Sequence, residues 1–349
     1  MKRIITCSDG TWNRPNILME GKPVRTNVQK IFDLVEKKEP VKNIMQIKYY
    51  DQGIGAQGSA ITRLFDGATG KGIDDNILDA YKFICWNYEP GDEIYLFGFS
   101  RGAYTARSLG GLIRKCGIIK INDLNLISDA YKLYRDKKNG PNSGMAITFR
   151  TKNSHDVFSI KYIGVWDTVG SLGIPLNIFQ WYNKNRYAFY DTALSSIVEH
   201  AYHAIAVDEK RSNFEPTWWY RSGNTENKSF KQVLEQRWFP GVHSNVGGGY
   251  PDSGLSDLAL KWLFEKAKSA GLYLSPSFTT NYKGDCKAKL YDSSKGIFSL
   301  LGKKQRKIIA DNKESFIDES VLERMKLVSG YKPKNVLEFL EANPSVNKK

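Results

Sequence analysis

The sequence predicts an α/β fold, in which a mainly parallel central sheet carries helices on both faces and has lid-like insertions. Short apolar runs alternate along the chain with longer stretches of helical spacing, which is typical of βα units around a parallel sheet. With 349 residues, 41% of them hydrophobic, the chain can bury a sizeable core. This length suits one large domain with insertions, or two domains.

The periodicity of apolar residues assigns most elements in chain order. Short apolar runs predict strands at residues 3–8, 44–50, 93–97, 159–166 and 233–239. Apolar residues three and four positions apart predict helices at 26–37, 76–88 and 195–208, and helical spacing also follows residue 102. The helix at 195–208 would carry His200 and His203 on one face, which favours packing over catalysis.

Two irregular stretches interrupt the predicted core and suggest its domain organisation. Residues 118–157 are polar and basic, and residues 174–192 are rich in aromatic side chains. Insertions above the carboxyl ends of strands often form lids and substrate pockets. We expect a core domain over residues 1–272. Because periodicity weakens beyond it, we expect a small accessory region over 273–349, packed on the core or trailing from it.

A strand, a tight turn and a helix meet around Ser100. The apolar run that begins at Glu93 breaks at Gly98-Phe-Ser-Arg-Gly102, and helical spacing follows. In a nucleophile elbow the serine occupies a strained turn, which projects its hydroxyl from the end of the sheet. Gly98 and Gly102 are needed because strand and helix approach too closely there for a Cβ. The pattern predicts Ser100 as a nucleophile; the alternative is a serine that caps the helix.

A serine nucleophile needs a base that accepts its proton and an acid that orients the base. Asp167 and His243 each follow a predicted strand, so both are expected at the same sheet edge as Ser100. The chain order serine, aspartate, histidine is that of α/β-hydrolases. The alternatives are a turn-capping Asp167 and a His243 bonded to backbone. Other candidates for the orienting acid are Asp208, Asp252 and Asp257.

Two backbone N–H groups must bind the negative oxygen that forms on a substrate carbonyl. One is expected from Arg101, the residue after the nucleophile. The other is expected from Gly10 or Thr11, in the loop after the first strand, where glycine permits close approach. Asp9 in this loop would repel that charge. We therefore expect Asp9 to hold the loop through side-chain to backbone bonds, with Arg101 or Arg107 as its counter-ion.

The sequence predicts no cofactor and no metal site. The four cysteines are scattered without paired spacing and do not cluster with the four histidines. This pattern argues against zinc and for reduced, structural thiols. A divalent cation between Asp9 and Asp51 is a minor alternative.

The formal net charge of +14 predicts attraction to anions such as the headgroups of an anionic membrane, nucleic acid or an acidic partner. A basic face without a dedicated ligand is the alternative. Specific nucleic-acid binding is not expected, because no known nucleic-acid-binding motif accompanies the charge. We find no signal peptide and no membrane-spanning stretch in the sequence. The expectation is a protein that is cytoplasmic as synthesised, with signal-less secretion as an open route.

Five ordered motifs resemble those of a known family. They are Ser8-Asp-Gly-Thr-Trp-Asn13, Tyr49-Tyr-Asp-Gln-Gly-Ile-Gly55, Gly98-Phe-Ser-Arg-Gly-Ala-Tyr-Thr-Ala-Arg107, Gly164-Val-Trp-Asp-Thr-Val-Gly-Ser-Leu-Gly173 and Trp238-Phe-Pro-Gly-Val-His-Ser-Asn-Val-Gly-Gly-Gly-Tyr250. Over residues 3–270 the chain resembles the α/β-hydrolase group once catalogued as domain of unknown function 2235 (DUF2235). That group includes the type VI secretion lipase effectors of the Tle1 class.

The resemblance implies an α/β-hydrolase fold and, from the secreted members, phospholipase A activity. By motif position it implies Ser100 as nucleophile, Asp167 as acid and His243 as base. The chain departs from the family pattern at Ser8, where many relatives have phenylalanine, and at Asn245, where aspartate is common. The sequence also contains no counterpart of the large membrane-docking modules of the secreted lipases. That difference bears on phospholipid as the substrate, not on ester hydrolysis.

The sequence thus predicts a metal-independent serine esterase or lipase, with phospholipase A activity as the specific expectation and a lipid or other ester as substrate. The second hypothesis is a catalytically weak or inactive hydrolase-fold module that binds an anionic ligand, either a phospholipid or a nucleotide.

Overall fold

A computed structural model describes residues 1–10, 17–53, 71–120, 125–156, 158–169, 193–221, 231–294, 302–308 and 314–343. Its strands are β1 (Arg3–Ser8), β2 (Ile17–Met19), β3 (Lys22–Val24), β4 (Lys38–Glu39), β5 (Ile44–Asp51), β6 (Glu93–Phe99), β7 (Ile160–Trp166), β8 (Val198–Ala206), β9 (Val233–Phe239) and β10 (Ser315–Ile317).

The α-helices of the same ranges are α1 (Asn27–Leu34), α2 (Lys71–Asn87), α3 (Arg101–Cys116), α4 (Ile127–Arg135), α5 (Gly144–Asn153), α6 (His243–Gly247), α7 (Gly254–Ser269), α8 (Phe278–Asn281), α9 (Glu319–Leu327) and α10 (Lys334–Ala342). None of these described helices combines the length and the apolar character that crossing a bilayer requires.

Eight strands form one sheet, in the order β10-β9-β8-β7-β6-β1-β5-β4. Each neighbouring pair is parallel except β4 and β5, which are antiparallel at one edge. β2 and β3 form a separate antiparallel hairpin. The predicted α/β fold with a mainly parallel central sheet is therefore confirmed.

Both faces of the central strands are buried. Ile94 and Leu96 of β6 belong to a core that includes residues of α2, α3 and α4. Tyr95 and Phe97, which point to the opposite face, belong to a second core that includes residues of α1 and α7. Parallel strands covered on both faces have continuous apolar sequences rather than alternating ones. This explains the uninterrupted apolar run that leads to Ser100.

The prediction of a helix at 195–208 was wrong, because these residues contain strand β8. β8 pairs in parallel with β7 on one side and β9 on the other. Its sequence is rich in alanine and shows no strict alternation, since the strand lies in the middle of the sheet. Pairing with two neighbours overrides the local helical preference. His200 and His203 consequently lie on a strand.

The polar and basic insertion predicted at 118–157 contains α4 and α5, which pack on α3. Arg150 of α5 donates hydrogen bonds to the carbonyls of Arg114 (3.3 Å) and Lys115 (2.8 Å), near the end of α3. α3 has 16 residues and so is about 24 Å long. These contacts therefore lie at the end of α3 opposite Ser100, not above the serine. The insertion predicted at 174–192 lies outside the described residues.

Residues beyond 272 contribute to the same sheet and to its packing. β10 extends the sheet beside β9. Val321 of α9 and Val336 of α10 pack with Ile205 of β8 and Trp238 of β9 in a third core cluster. The C-terminal residues thereby support the strands from which the site described below is built.

Candidate active site

Ser100 lies in the turn between β6 and α3 in a conformation that is rare outside glycine. Its φ is 58° and its ψ is −118°. The Ser100 amide donates to the Trp166 carbonyl at 3.0 Å. A Cβ on Gly98 would lie 2.3 Å from the Gly102 carbonyl oxygen, and one on Gly102 would lie 2.0 Å from that of Ser8. The turn therefore requires glycine on both sides of the serine.

Ser100, His243 and Asp167 form one hydrogen-bonded row. His243 Nε2 lies 2.8 Å from Ser100 Oγ, and His243 Nδ1 lies 2.5 Å from Asp167 Oδ2. Ser100 is 8% exposed, His243 is 6% exposed and Asp167 is fully buried. They follow β6, β9 and β7, whose carboxyl ends meet at one edge of the sheet. Such a row can move a proton from a serine hydroxyl to an imidazole.

The three other acids considered from the sequence have partners elsewhere. They are Asp208, which accepts from the Tyr331 hydroxyl (2.7 Å), Asp257, which pairs with the Lys30 ammonium (2.5 Å), and Asp252, which is exposed and accepts from backbone amides. Of the four candidate acids, the one at the end of β7 is the one that contacts the imidazole.

Burial and neighbouring charges set the protonation of the row. Burial would raise the pKa of Asp167, but the Arg306 guanidinium and the His243 imidazole outweigh it and hold that pKa well below its usual range. Burial lowers the pKa of His243 below its ordinary value, although Asp167 opposes this. The imidazole is therefore neutral at pH 7 and able to accept a proton.

Glu209 and two aromatic rings fix the position of His243. The His243 amide donates to Glu209 Oε2 at 3.1 Å, and Arg211 forms two 2.9 Å bonds to the same carboxylate. Burial would raise the pKa of Glu209, but the bonds and charge of Arg211 lower it to about 2. The ring centroids of Phe99 and Phe214 lie 4.6 Å and 5.0 Å from that of the imidazole. Sequence reasoning assigned no role to Glu209 or Arg211.

His203 supports the turn that follows β7. Its Nε2 accepts the Thr168 amide at 3.0 Å, and its Nδ1 lies 3.4 Å from Gln236 Oε1. Burial, with the nearby charge of Arg107, lowers the pKa of His203 to about 3. The side chain is therefore neutral near pH 7. It acts as a fixed hydrogen-bond acceptor next to Asp167.

Asp9 holds the loop after β1. Its Oδ1 accepts the Gly10 amide at 2.6 Å, and its Oδ2 accepts the Thr26 hydroxyl at 2.5 Å and the Tyr50 hydroxyl at 2.6 Å. The Gly10 amide, a predicted oxyanion donor, is thus bonded within its own loop in this structure. It would have to leave the carboxylate before it could bind a substrate oxygen.

The other two predicted oxyanion donors are Arg101 and Thr11. Arg101 is the first residue of α3, directly after Ser100. At the start of a helix the dipole favours negative charge, which suits an amide that must stabilise an oxyanion. Thr11 lies outside the described residues.

Asp51, at the end of β5, is a second buried carboxylate beside Asp9. It is 8% exposed, and its Oδ2 has no hydrogen-bond partner among the described residues. Burial, followed by the charge of Asp9, raises the pKa of Asp51 to about 7. Within the described ranges no group of three or more histidine, cysteine, aspartate or glutamate side chains could hold a metal ion.

Asp51→Asn is expected to stabilise the protein, and more so at higher pH. As pH rises from about 4, Asp51 ionises in the unfolded chain but stays protonated in the fold until its pKa of about 7 is reached. Ionisation therefore costs folding free energy over this interval, and the cost is constant above it. From the pKa difference, the gain should be roughly 2.5 kcal/mol larger at pH 8 than at pH 5. Denaturant unfolding at both pH values measures it.

Asp129→Asn provides the control, because Asp129 is exposed and pairs only with Lys132 on the helix surface among the described contacts. Its substitution should change the free energy of unfolding equally, and little, at both pH values. If Asp51→Asn gives the same gain at pH 5 and pH 8, the carboxyl is not held protonated by its surroundings.

A parallel sheet with a strained serine turn at its carboxyl edge is the architecture of α/β-hydrolases. A family model described as the type VI secretion phospholipase effector Tle1-like catalytic domain matches residues 2–266. The chain belongs to this family.

The uncharacterized protein YEL023C of Saccharomyces cerevisiae is a curated relative, 34% identical over 234 residues. The alignment covers 61% of this chain and 32% of the yeast protein. The chain thus spans about a third of the length of this relative.

Two solved structures are similar at a lower level. An uncharacterized protein from Pseudomonas aeruginosa has a TM-score of 0.47 and 17% identity, covering 81% of this chain and 49% of its own. A Tle1 effector bound to the VgrG spike of the type 6 secretion system has a TM-score of 0.47 and 16% identity, covering 85% of this chain and 77% of its own. Neither likeness is close enough to bear on function.

Proposed function

We propose that this protein is a serine esterase that cleaves acyl esters of lipids, with phospholipase A-type activity, through Ser100, His243 and Asp167. The observation that supports the proposal most is the 2.8 Å contact of His243 Nε2 with Ser100 Oγ on a strained turn. It occurs in a chain that belongs to a family of phospholipase effector domains.

In the first half of the reaction, Ser100 Oγ attacks the acyl carbonyl carbon while its proton passes to His243 Nε2. Asp167 accepts the Nδ1 proton in a hydrogen bond, fixes the tautomer and stabilises the imidazolium. The carbonyl oxygen becomes an oxyanion beside the Arg101 amide at the start of α3, with a second donor from the loop that contains Gly10 and Thr11.

The tetrahedral species then collapses. The imidazolium gives its proton to the leaving alcohol oxygen, the bond between acyl carbon and that oxygen breaks, and the acyl group remains on Ser100. Water attacks this ester with His243 again as base, which releases the fatty acid and restores the hydroxyl. No cofactor enters the proposed cycle.

The net charge of +14 supports contact with an anionic membrane surface, where the lipid substrate lies. Family membership supports delivery of the protein as a secreted effector after synthesis in the cytoplasm.

Incubation of purified protein with a mixed lipid extract and with phospholipid vesicles tests the function. The vesicle lipids carry different acyl chains at their two positions, so that mass spectrometry of released fatty acids reports which ester is cut. We expect fatty acid release and labelling of the protein by a fluorophosphonate. Vesicle or nucleotide binding without turnover on any lipid or soluble ester would instead support the inactive, anion-binding module.

A further inference from the structure

A cation from outside the family-matched residues holds Asp167. Arg306 lies in the segment 302–308, which we call the strap, whereas the family match ends at residue 266. Arg306 is 4% exposed. Its Nη1 donates to Asp167 Oδ1 at 2.6 Å, and its Nη2 donates to Asp167 Oδ2 at 3.0 Å. A two-point bond of this kind fixes the plane of the carboxylate as well as balancing its charge.

The strap is itself attached to the residues around the site. Its backbone pairs with residues 210–212, which follow β8. Arg306 Nη1 also donates to the Ala206 carbonyl at 2.9 Å, and Nη2 donates to the Phe214 carbonyl. The Phe214 ring lies edge-on to the imidazole. Arg306 therefore connects the carboxylate to two backbone segments that flank it.

The Asp167 carboxylate has few other polar neighbours that hold it in place. Its Oδ1 accepts the Ala206 amide at 3.0 Å, and its Oδ2 is shared between Arg306 and the imidazole. An ionised carboxylate with no exposed surface is costly unless a charge partner and hydrogen bonds compensate it. Arg306 is the cation that contacts it among the described residues.

We propose that Arg306 is a positioning residue of this site, which orients the Asp167 carboxylate toward His243 and balances its charge. The inference rests on the proposed function. It assigns part of the working site to the strap, because residues 2–266 alone lack the cation that binds the Asp167 carboxylate. Arg306 touches neither the serine nor a substrate, and it acts through Asp167.

Charge balance predicts how loss of Arg306 changes the protonation of the His243 imidazole. With Arg306 present, carboxylate and guanidinium cancel, and a proton on His243 adds an uncompensated positive charge. Without Arg306, the neutral imidazole leaves a lone buried carboxylate, and a proton on His243 neutralises it. Removal of the guanidinium therefore favours the protonated imidazole, which cannot act as a base.

Other charged and titratable groups around the imidazole do not reproduce this effect. Glu209 and Arg211, which follow β8, pair with each other beside the His243 backbone. His203 of β8 is kept neutral by burial, and Arg107 of α3 bonds to backbone carbonyls. The balance at His243 therefore depends chiefly on the ion pair at Asp167.

Imidazole titration by NMR in the whole 349-residue chain, labelled with ¹³C-histidine, tests the proposal. The chain has four histidines, and a His243→Gln variant assigns the signal. Arg306→Met is expected to raise the titration midpoint of His243 by about one pH unit or more, since a full charge is lost a few ångströms away. The acidic pKa of the kcat/KM profile should rise by the same amount. At a pH below the midpoint, kcat/KM should therefore fall roughly tenfold for each unit of this shift.

Arg306→Lys separates charge from geometry. It keeps the positive charge but loses the planar two-point bond, so the midpoint should stay within about 0.5 unit of wild type while kcat falls severalfold. Lys304→Met is the matched control. Lys304 lies on the same strap and pairs with Glu215 at the surface, so neither the midpoint nor kcat should change.

An unchanged His243 midpoint in a folded Arg306→Met protein overturns the proposal, as does an equal shift in Lys304→Met. If circular dichroism shows that Arg306→Met is unfolded, Arg306→Lys decides: unchanged kcat and midpoint overturn the proposal, and lowered kcat with a retained midpoint supports it. The titration needs no turnover. A shifted midpoint in a protein that hydrolyses nothing would therefore reject the esterase function while upholding the charge-balancing role of Arg306.

Discussion

Ser100→Ala is expected to abolish ester hydrolysis and fluorophosphonate labelling while the protein stays folded. The substitution removes the proposed nucleophile, and loss of a serine nucleophile lowers kcat by about 10⁴-fold or more. Alanine keeps the Cβ, so the strained backbone with φ of 58° is neither relieved nor worsened. The free energy of unfolding should change by less than about 1 kcal/mol. Fatty acid release, labelling and denaturant unfolding measure the three quantities.

Ser108→Ala is the control for this variant. Ser108 is a buried serine of α3, 4% exposed, and lies about two helical turns beyond the proposed nucleophile. We expect it to retain labelling and turnover within about twofold. Labelling of Ser100→Ala at the wild-type rate would mean that another nucleophile reacts, and the assignment would be withdrawn.

Gly102→Ala is expected to have the largest effect on stability. An added Cβ would lie 2.0 Å from the Ser8 carbonyl oxygen and 2.5 Å from that of Asp9. Both are backbone atoms of β1 or of the loop that follows it, so no side chain can rotate away. The start of α3 must separate from β1, which we expect to cost about 3 kcal/mol. Unfolding in denaturant measures the loss, and slower fluorophosphonate labelling should accompany it.

Gly110→Ala is the matched control, because Gly110 lies on the same helix. Its added Cβ would meet the Ile163 side-chain terminus at 3.3 Å, and that group can shift. Alanine also has the higher helix propensity, by up to about 1 kcal/mol. Stability should therefore stay within about 1 kcal/mol of wild type. Equal stability of the Gly102 and Gly110 variants would show that β1 and α3 tolerate separation.

The sequence was most informative where a local pattern has a local physical cause. The turn at Ser100 could be identified because the close approach of strand and helix excludes a Cβ at Gly98 and Gly102. The loops after β7 and β9 could be placed at one edge because parallel strands have their carboxyl ends on the same side. These arguments need only the strand assignments and the order of residues along the chain.

Sequence reasoning was wrong about β8 and silent about several residues of the site. β8 has a helix-like composition, and only its position between β7 and β9 makes it a strand. Glu209 occurs in a short charged stretch that resembles an exposed loop, yet it is buried and binds the His243 amide. Arg306 lies in a lysine-rich stretch of the sequence, yet its side chain is buried and binds the Asp167 carboxylate. In each case the partner is remote along the chain.

By itself, the sequence determined the fold class, the serine turn and the candidate residues for base and acid. Only the tertiary structure decided which carboxylate meets the imidazole, because the sequence left both Asp167 and Asp257 as candidates. In the fold, Asp257 pairs with Lys30, whereas Asp167 pairs with Arg306 and contacts His243. The physical reason is that burial and pairing of charge depend on contacts between distant segments. Such contacts have no signature in local composition or spacing.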